Sequence, residues 1–198
     1  MAELTNAVLD TIYARHATRA YTPAKVSEDA VNTLLRAAIH APTAMHREPW
    51  AFVVVQDPAL LKRICARTKV VAATPQAEPH RALARHRETH LPPPFDDPEF
   101  DIFYGASTLV VICARTPGEF SAADCWLAAE NLMLAATSIG LATCPIGFAL
   151  LGLADPDLRG ELGIAADVTP IAPIIIGTAA VPAPETTRRA PLILSWKK

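Results

Sequence analysis

The chain has 198 residues, 51% of them hydrophobic and 19% charged, which suits one globular domain with a full core and excludes a disordered chain. A formal charge of -2 argues against nucleic acid or an anionic membrane surface as partner. No signal-peptide pattern opens the sequence and no stretch of about 18 apolar residues occurs, so a cytoplasmic protein with no membrane contact is expected.

Leu4, Val8 and Ile12 recur at helical spacing and predict a first amphipathic helix, ending where the basic run Arg15-His16-Ala17-Thr18-Arg19 begins. Ser27 reads as the N-cap of a second helix, with Glu28 and Asp29 in its first turn and Val31, Leu34, Leu35 and Ala38 as its stripe. That helix stops before Pro42. A turn of small residues, Ala41-Pro42-Thr43-Ala44-Met45-His46, follows and runs through Arg47-Glu48-Pro49-Trp50 into an apolar strand ending at Val55. Asp57-Pro58 opens a third helix. Residues 75 to 101 crowd His80, Arg81, Arg85, His86, Arg87 and His90 before three prolines, and read as a short polar helix and an irregular loop.

Leu109 to Ile112 is a second buried strand. Ser121 and Asp124 fit a relaxed capping box opening a long apolar helix to about Ile139, with Gly140 as its C′ residue. Ala142 to Ile146 is a short strand, Asp155-Pro156 begins another helix, and Ile171 to Ile176 is a further strand. The apolar tail Leu192 to Trp196 needs cover, which a second subunit could give. These elements make one α+β domain over residues 1–198, a sheet flanked by helices.

The four cysteines, Cys65, Cys113, Cys125 and Cys144, show no Cys-x-x-Cys spacing and mostly sit in apolar runs, so buried free thiols are expected. The histidine-rich segment lacks the partners of a zinc site, and the His86/His90 pair reads as a solvated helix face, so no metal is assigned. Two guanidinium groups and an imidazole within five residues suit a phosphate or another anion. Taken alone, Arg15 and Arg19 could equally be solvated charges favourable to the preceding helix dipole. Trp50 reads as a core aromatic and Asn131 as a satisfied buried amide bonded to a neighbouring helix.

The basic run and the Pro-to-Trp turn together resemble the nitroreductase-like family of flavoproteins, and the resemblance extends in order from residue 15 to about 191. It implies the nitroreductase-like α+β fold with a central mixed or antiparallel sheet, a homodimer, and flavin mononucleotide (FMN) as cofactor. It further implies that Arg15 and His16 meet the phosphate, with Ala17 replacing the family's usual serine donor. Arg19 is implied to sit beside the flavin pyrimidine edge. Pro42, Thr43, Ala44, Met45 and His46 are implied to pass close to the flavin ring of the opposite subunit. His46 stands where the family usually has Asn, and Glu48 where it has Gln, with Arg47 a candidate partner for the carboxylate. Pro145, Ile146 and Gly147 resemble the segment that brings a backbone N–H of Ile146 or Gly147 to flavin N5. Arg188 and Arg189 resemble the basic residues that return to the phosphate, Arg189 matching best. The segment 75–101 is implied to cover the flavin.

The activity so implied is a ping-pong transfer of hydride from NAD(P)H through flavin N5 to a nitroaromatic or quinone. It needs no side-chain acid or base, so no catalytic residue is assigned. A dehydrogenase or reductive dehalogenase on the same scaffold is one alternative; a non-catalytic flavin carrier or redox sensor is another.

Overall fold

A computed structural model describes residues 6–74, 95, 97–115, 118–182 and 187–198. Four antiparallel strands form its sheet in the order β1-β2-β4-β3. They are β1 (Trp50–Val55), β2 (Thr108–Ala114), β3 (Ala142–Pro145) and β4 (Thr169–Gly177). The helices are α1 (Ala7–Ala14), α2 (Glu28–Ala38), α3 (Pro58–Ala72), α4 (Ser121–Ser138), α5 (Ala149–Leu153) and α6 (Pro156–Glu161). Among the described residues no helix is long and apolar enough to cross a membrane.

Past their first residues, Thr108 and Thr169, the central strands are apolar because both sheet faces are covered. Alternate residues serve opposite layers. Val110, Ile112, Ile174 and Ile176 face α2 and α4, with Leu34, Leu132 and Trp50 in that layer. Leu109, Val111, Cys113 and Ile175 face α3 and α5, with Ile64, Phe103 and Leu153. All four cysteines are buried and free, as the sequence predicts. Burial pushes the Cys113 thiol up to about 11 and that of Cys125 to about 12.

Local signals set most helix ends. Ser27 Oγ accepts the Ala30 N–H at 3.2 Å, and Asp57 and Asp155 cap α3 and α6 in the same way. Gly140, at φ +78°, ends α4 in a Schellman turn in which the Leu141 N–H donates to the Ala136 carbonyl at 2.9 Å.

Two expectations are corrected. The N-cap of α4 is Phe120, not Ser121, and the Asp124 carboxylate serves a distant segment instead. The predicted stripe of α1 is not in the core: Val8 and Ile12 are exposed. The short helix α5 carries no periodicity of its own and was not predicted. The basic and histidine-rich part of segment 75–101, from 75 to 94, lies outside the described residues. Residues 97–101 form a loop whose carbonyls at Asp97 and Pro98 each accept from Lys69 Nζ at 2.9 Å.

Candidate functional site

The basic run is an added edge on the sheet. Ala17 bridges Thr143 of β3 in parallel, and the Thr18 N–H donates to the Thr143 carbonyl at 3.0 Å. The chain then passes the end of β4, where the Thr22 N–H donates to the Thr178 carbonyl and the Ala180 N–H to the Ala20 carbonyl, both at 2.9 Å. Tyr21 is buried, and its hydroxyl donates to the Thr18 carbonyl at 3.0 Å. Gly177 makes room for it: a Cβ there would lie 2.8 Å from Tyr21 Cδ1. Arg15, Ala17 and Arg19 are thereby fixed beside the strand that leads into Pro145, Ile146 and Gly147, a sequence separation no local signal could have revealed.

Within this group the roles divide by geometry. Arg15 Nε lies 3.6 Å from Glu130 Oε1 on α4. His16 Nδ1 is 2.8 Å from the Ala14 carbonyl, so the imidazole is tied to its own turn. The Cys144 thiol is buried and its pKa raised, first by burial, with the Arg19 and Arg15 charges pulling the other way. The Ile146 N–H donates to the Pro173 carbonyl at 2.8 Å and is spent. The neighbouring Gly147 is exposed, and a Cβ on it would meet nothing within 4 Å. Its N–H has no protein acceptor among the described residues.

The Pro42-to-His46 turn is built at a different place. The Ala44 N–H donates to Asp124 Oδ1 at 3.1 Å, which pins the turn to the first turn of α4. Met45, His46 and Glu48 all take positive φ, 56°, 52° and 43°. Three such residues in a stretch of four are uncommon outside glycine and mark a turn held by its surroundings. Met45 is 81% exposed, and Pro42 and His46 are exposed while Thr43 and Ala44 are half-buried. Arg115 Nη2 reaches the Glu48 carbonyl at 3.3 Å. No Arg47–Glu48 ion pair forms among the described residues. Asp124 and Glu130 are six residues apart on α4, about 9 Å along the axis and about 120° around it. The turn and the basic run therefore leave different faces of one helix. Arg188 and Arg189 lie in the exposed segment 187–198, and the described residues show no bond from either to Arg15, His16 or Arg19.

Trp50 is in the core, and Asn131 Nδ2 donates to the Ala37 carbonyl at 3.2 Å, so both bland readings stand. Tyr104 was not singled out in the sequence; burial raises its hydroxyl above the ordinary tyrosine value, and the Arg19 charge pulls the other way. Among the described residues no cluster of His, Cys, Asp or Glu could hold a metal ion.

The family model described as Nitroreductase family matches residues 12–178. This chain belongs to the Nitroreductase family. A crystal structure of a nitroreductase with bound FMN from Bacteroides fragilis is 30% identical, with TM-score 0.80, covering 98% of this chain and 100% of that one. A Staphylococcus epidermidis protein provisionally assigned as an NAD(P)H nitroreductase is 28% identical, over 76% of this chain and 77% of its own length. An iodotyrosine deiodinase structure bound to FMN and 3-iodo-L-tyrosine shares the fold at TM-score 0.72 and 19% identity, covering 96% of this chain and 99% of that one.

Proposed function

We propose that this member of the Nitroreductase family is an FMN-dependent oxidoreductase, working as a homodimer, that uses NAD(P)H to reduce an electron-poor acceptor such as a nitroaromatic or quinone. The observation that carries the reading is the joint between the basic run and β3. It sets the backbone of the Arg15-to-Arg19 run along the strand that leads into Gly147, an exposed glycine whose N–H is unspent among the described residues.

The residues present fit FMN. Arg15 and Arg19 supply fixed positive charge for a phosphate and for an electron-rich ring edge. Gly147 leaves its backbone open to close approach by a flat ring. FMN, when bound, supplies the chemistry: it takes hydride from NAD(P)H at N5 and passes the electrons to the acceptor in a ping-pong cycle. The Gly147 N–H, not that of Ile146, is the donor left to meet N5. Arg19 lies at the ring's pyrimidine edge, where its charge favours the reduced form. Arg15 and His16 hold the phosphate, and Glu130 orients Arg15 through Nε while leaving its terminal nitrogens to the ligand. In the dimer, the Pro42-to-His46 turn and the Arg188-Arg189 pair reach the site of the other protomer. The exposed tail supports that assembly: Leu192, Leu194 and Trp196 are 87%, 90% and 74% exposed, an apolar load a lone protomer leaves uncovered.

The test is a spectrum followed by anaerobic mixing. Purified protein should be yellow, and NADH or NADPH should bleach it near the flavin absorbance maximum, with colour returning when a quinone or nitroaromatic is added. A colourless protein refutes the cofactor. A yellow protein indifferent to both nucleotides refutes the oxidoreductase and supports a flavin carrier.

A further inference from the structure

Gly147 suits close approach by a ring, but glycine has the freest backbone of any residue, so its N–H must be aimed by its neighbours. On one side Ile146 is anchored: it is buried, and its N–H is bonded to the Pro173 carbonyl at 2.8 Å. On the other side the Gly147 carbonyl accepts the Leu150 N–H at 3.2 Å and the Phe148 carbonyl the Leu151 N–H at 3.0 Å, which ties the turn to α5, a helix of only 5 residues. The Phe148 ring ties it to a second segment. That ring is half-buried and meets Phe95 edge to face, 4.9 Å between ring centroids and 76° between planes. Phe95 meets Phe100 in the same way at 6.5 Å, and Phe100 meets Tyr104 at 5.8 Å. The far end of this series of rings is rooted. Lys69 on α3 sits over the Phe100 ring and donates to the Asp97 and Pro98 carbonyls. The Asp101 carboxylate accepts the Phe103 and Gly105 N–H groups, both at 2.9 Å, and so closes the turn that carries Tyr104. The aromatic side chains of Tyr104, Phe100, Phe95 and Phe148 therefore lead from a turn anchored before β2 to the residue after Gly147.

We propose that Phe95 is a positioning residue for the Gly147 N–H: by holding the Phe148 ring it fixes the backbone of Gly147, and so sets how well this donor meets flavin N5. The inference rests on the placement of Gly147 at N5 under the proposed function. A donor aimed at N5 polarises the atom that accepts hydride, and it loses most of that effect when misaimed, because a hydrogen bond weakens steeply with angle. Without Phe95 the Phe148 ring loses its aromatic neighbour and is free to change rotamer, and Gly147 has no side chain with which to resist a shift of the turn. The route runs through one ring, so removing either Phe95 or Phe148 should have the same effect.

The Gly147 amide resonance is followed by NMR in nitrogen-15-labelled, FMN-loaded protein, and anaerobic flavin reduction by NADH or NADPH by stopped flow. Both are measured for wild type, Phe95→Ala, Phe95→Leu, Phe148→Ala and the Phe95→Ala/Phe148→Ala pair, after FMN content and thermal midpoint are recorded for each. Phe95→Ala should keep FMN, move the Gly147 amide proton towards its position in the FMN-free protein, and slow flavin reduction about tenfold at saturating nucleotide. Phe95→Leu keeps apolar bulk without the ring, should behave alike, and carries the test where the alanine protein is too unstable to purify. Phe148→Ala should be as slow, and the pair no slower than Phe148→Ala alone. A merely structural contact would lower the thermal midpoint and leave the Gly147 resonance in place. An unmoved Gly147 resonance in Phe95→Leu, a Phe95→Leu protein that cannot hold FMN, or equal slowing by Phe95→Ala with and without the Phe148 ring overturns the inference and leaves the cofactor assignment intact. A wild-type Gly147 resonance that FMN does not shift instead overturns the placement of Gly147 at N5, and this inference with it. A wild-type protein that takes up no FMN sinks the proposed function at its root.

Discussion

Among the glycines, Gly152 has the least room for a side chain. It lies in α5, where that helix crosses α3. A Cβ on it would come 2.4 Å from Thr68 Oγ1, 2.9 Å from the Ile64 carbonyl and 3.0 Å from the Thr68 nitrogen. The hydroxyl could rotate away, but the two backbone atoms cannot move without parting the helices. Gly152→Ala gains about 1 kcal/mol of helix propensity. Against that, overpacking a close helix crossing costs about 1–3 kcal/mol, and contacts of this length belong at the upper end. The expected balance is a loss of about 1–2 kcal/mol, or roughly 2–8 °C in thermal midpoint for a chain of this size. Phe148, the residue after Gly147, is the N-cap of α5, so the same displacement moves the segment proposed to meet the flavin ring. The assay is denaturant unfolding of the apoprotein alongside FMN titration, for Gly152→Ala, Thr68→Ala and the pair. Removing the Thr68 side chain relieves the shortest contact only, so the double variant should be more stable than the sum of the singles by at least about 0.5 kcal/mol. A Gly152→Ala protein as stable as wild type, or strict additivity with Thr68→Ala, refutes the reasoning.

Three further outcomes are expected. Thr143 is 1% exposed and its hydroxyl has no partner among the described residues, so Thr143→Val, equal in shape and suited to a strand, should stabilise the apoprotein by about 1 kcal/mol; a loss of stability in urea would contradict this. Cys113 and Cys125 have ordinary thiol values of 9.0 raised by burial to about 11 and about 12, so above pH 9 the unfolded chain gives up protons that the folded chain keeps. Stability is then intact below pH 9 and falls as pH rises from there towards 11 and 12, by up to about 1.4 kcal/mol per pH unit for each thiol; a stability flat from pH 9 to 11, or one that Cys113→Ala and Cys125→Ala do not flatten, would count against it. Deleting residues 190–198 should convert the sedimenting species from dimer to monomer and release FMN, and a truncated protein that remains a flavin-loaded dimer would show the tail to be dispensable.

Features carried by neighbouring residues were legible in the sequence. Ser27, Asp57 and Asp155 were readable as caps because a cap is a contact over two or three residues. Gly140 was readable because a Schellman turn demands a left-handed residue at one position. The central strands were readable from unbroken apolar runs, and the family motifs marked out the basic run and the β3 segment. Asp124 misled because its spacing from Ser121 imitates a capping box while its carboxylate bonds Ala44, 80 residues away. The positive φ of Met45, His46, Glu48 and Tyr104 left no trace, since none is a glycine. The choice between Ile146 and Gly147 as the free donor needed the Pro173 carbonyl, which only the β3–β4 register supplies.

Helix α4 also offers a reason why the proposed site needs two protomers. It carries the anchor of the turn at Asp124 and the anchor of the basic run at Glu130, on faces about 120° apart, so one chain cannot direct both at the same ligand face. Between the anchors, Trp126 and Leu127 are exposed large apolar side chains on the face of this helix that the core leaves open, a surface that a partner protomer would cover under the proposed function. Position 127 is the midpoint of 124 and 130. In a two-fold dimer with its axis passing by Leu127, two antiparallel α4 helices would set Asp124 of each chain beside Glu130 of the other. The turn of one protomer would then stand against the basic run of its partner, twice, and the same contact that buries Trp126 would close both sites. Leu127→Asp therefore puts the argument at risk in one step: it should yield a folded monomer that has lost FMN, and a dimeric or flavin-loaded Leu127→Asp protein would mean that the sites are assembled some other way.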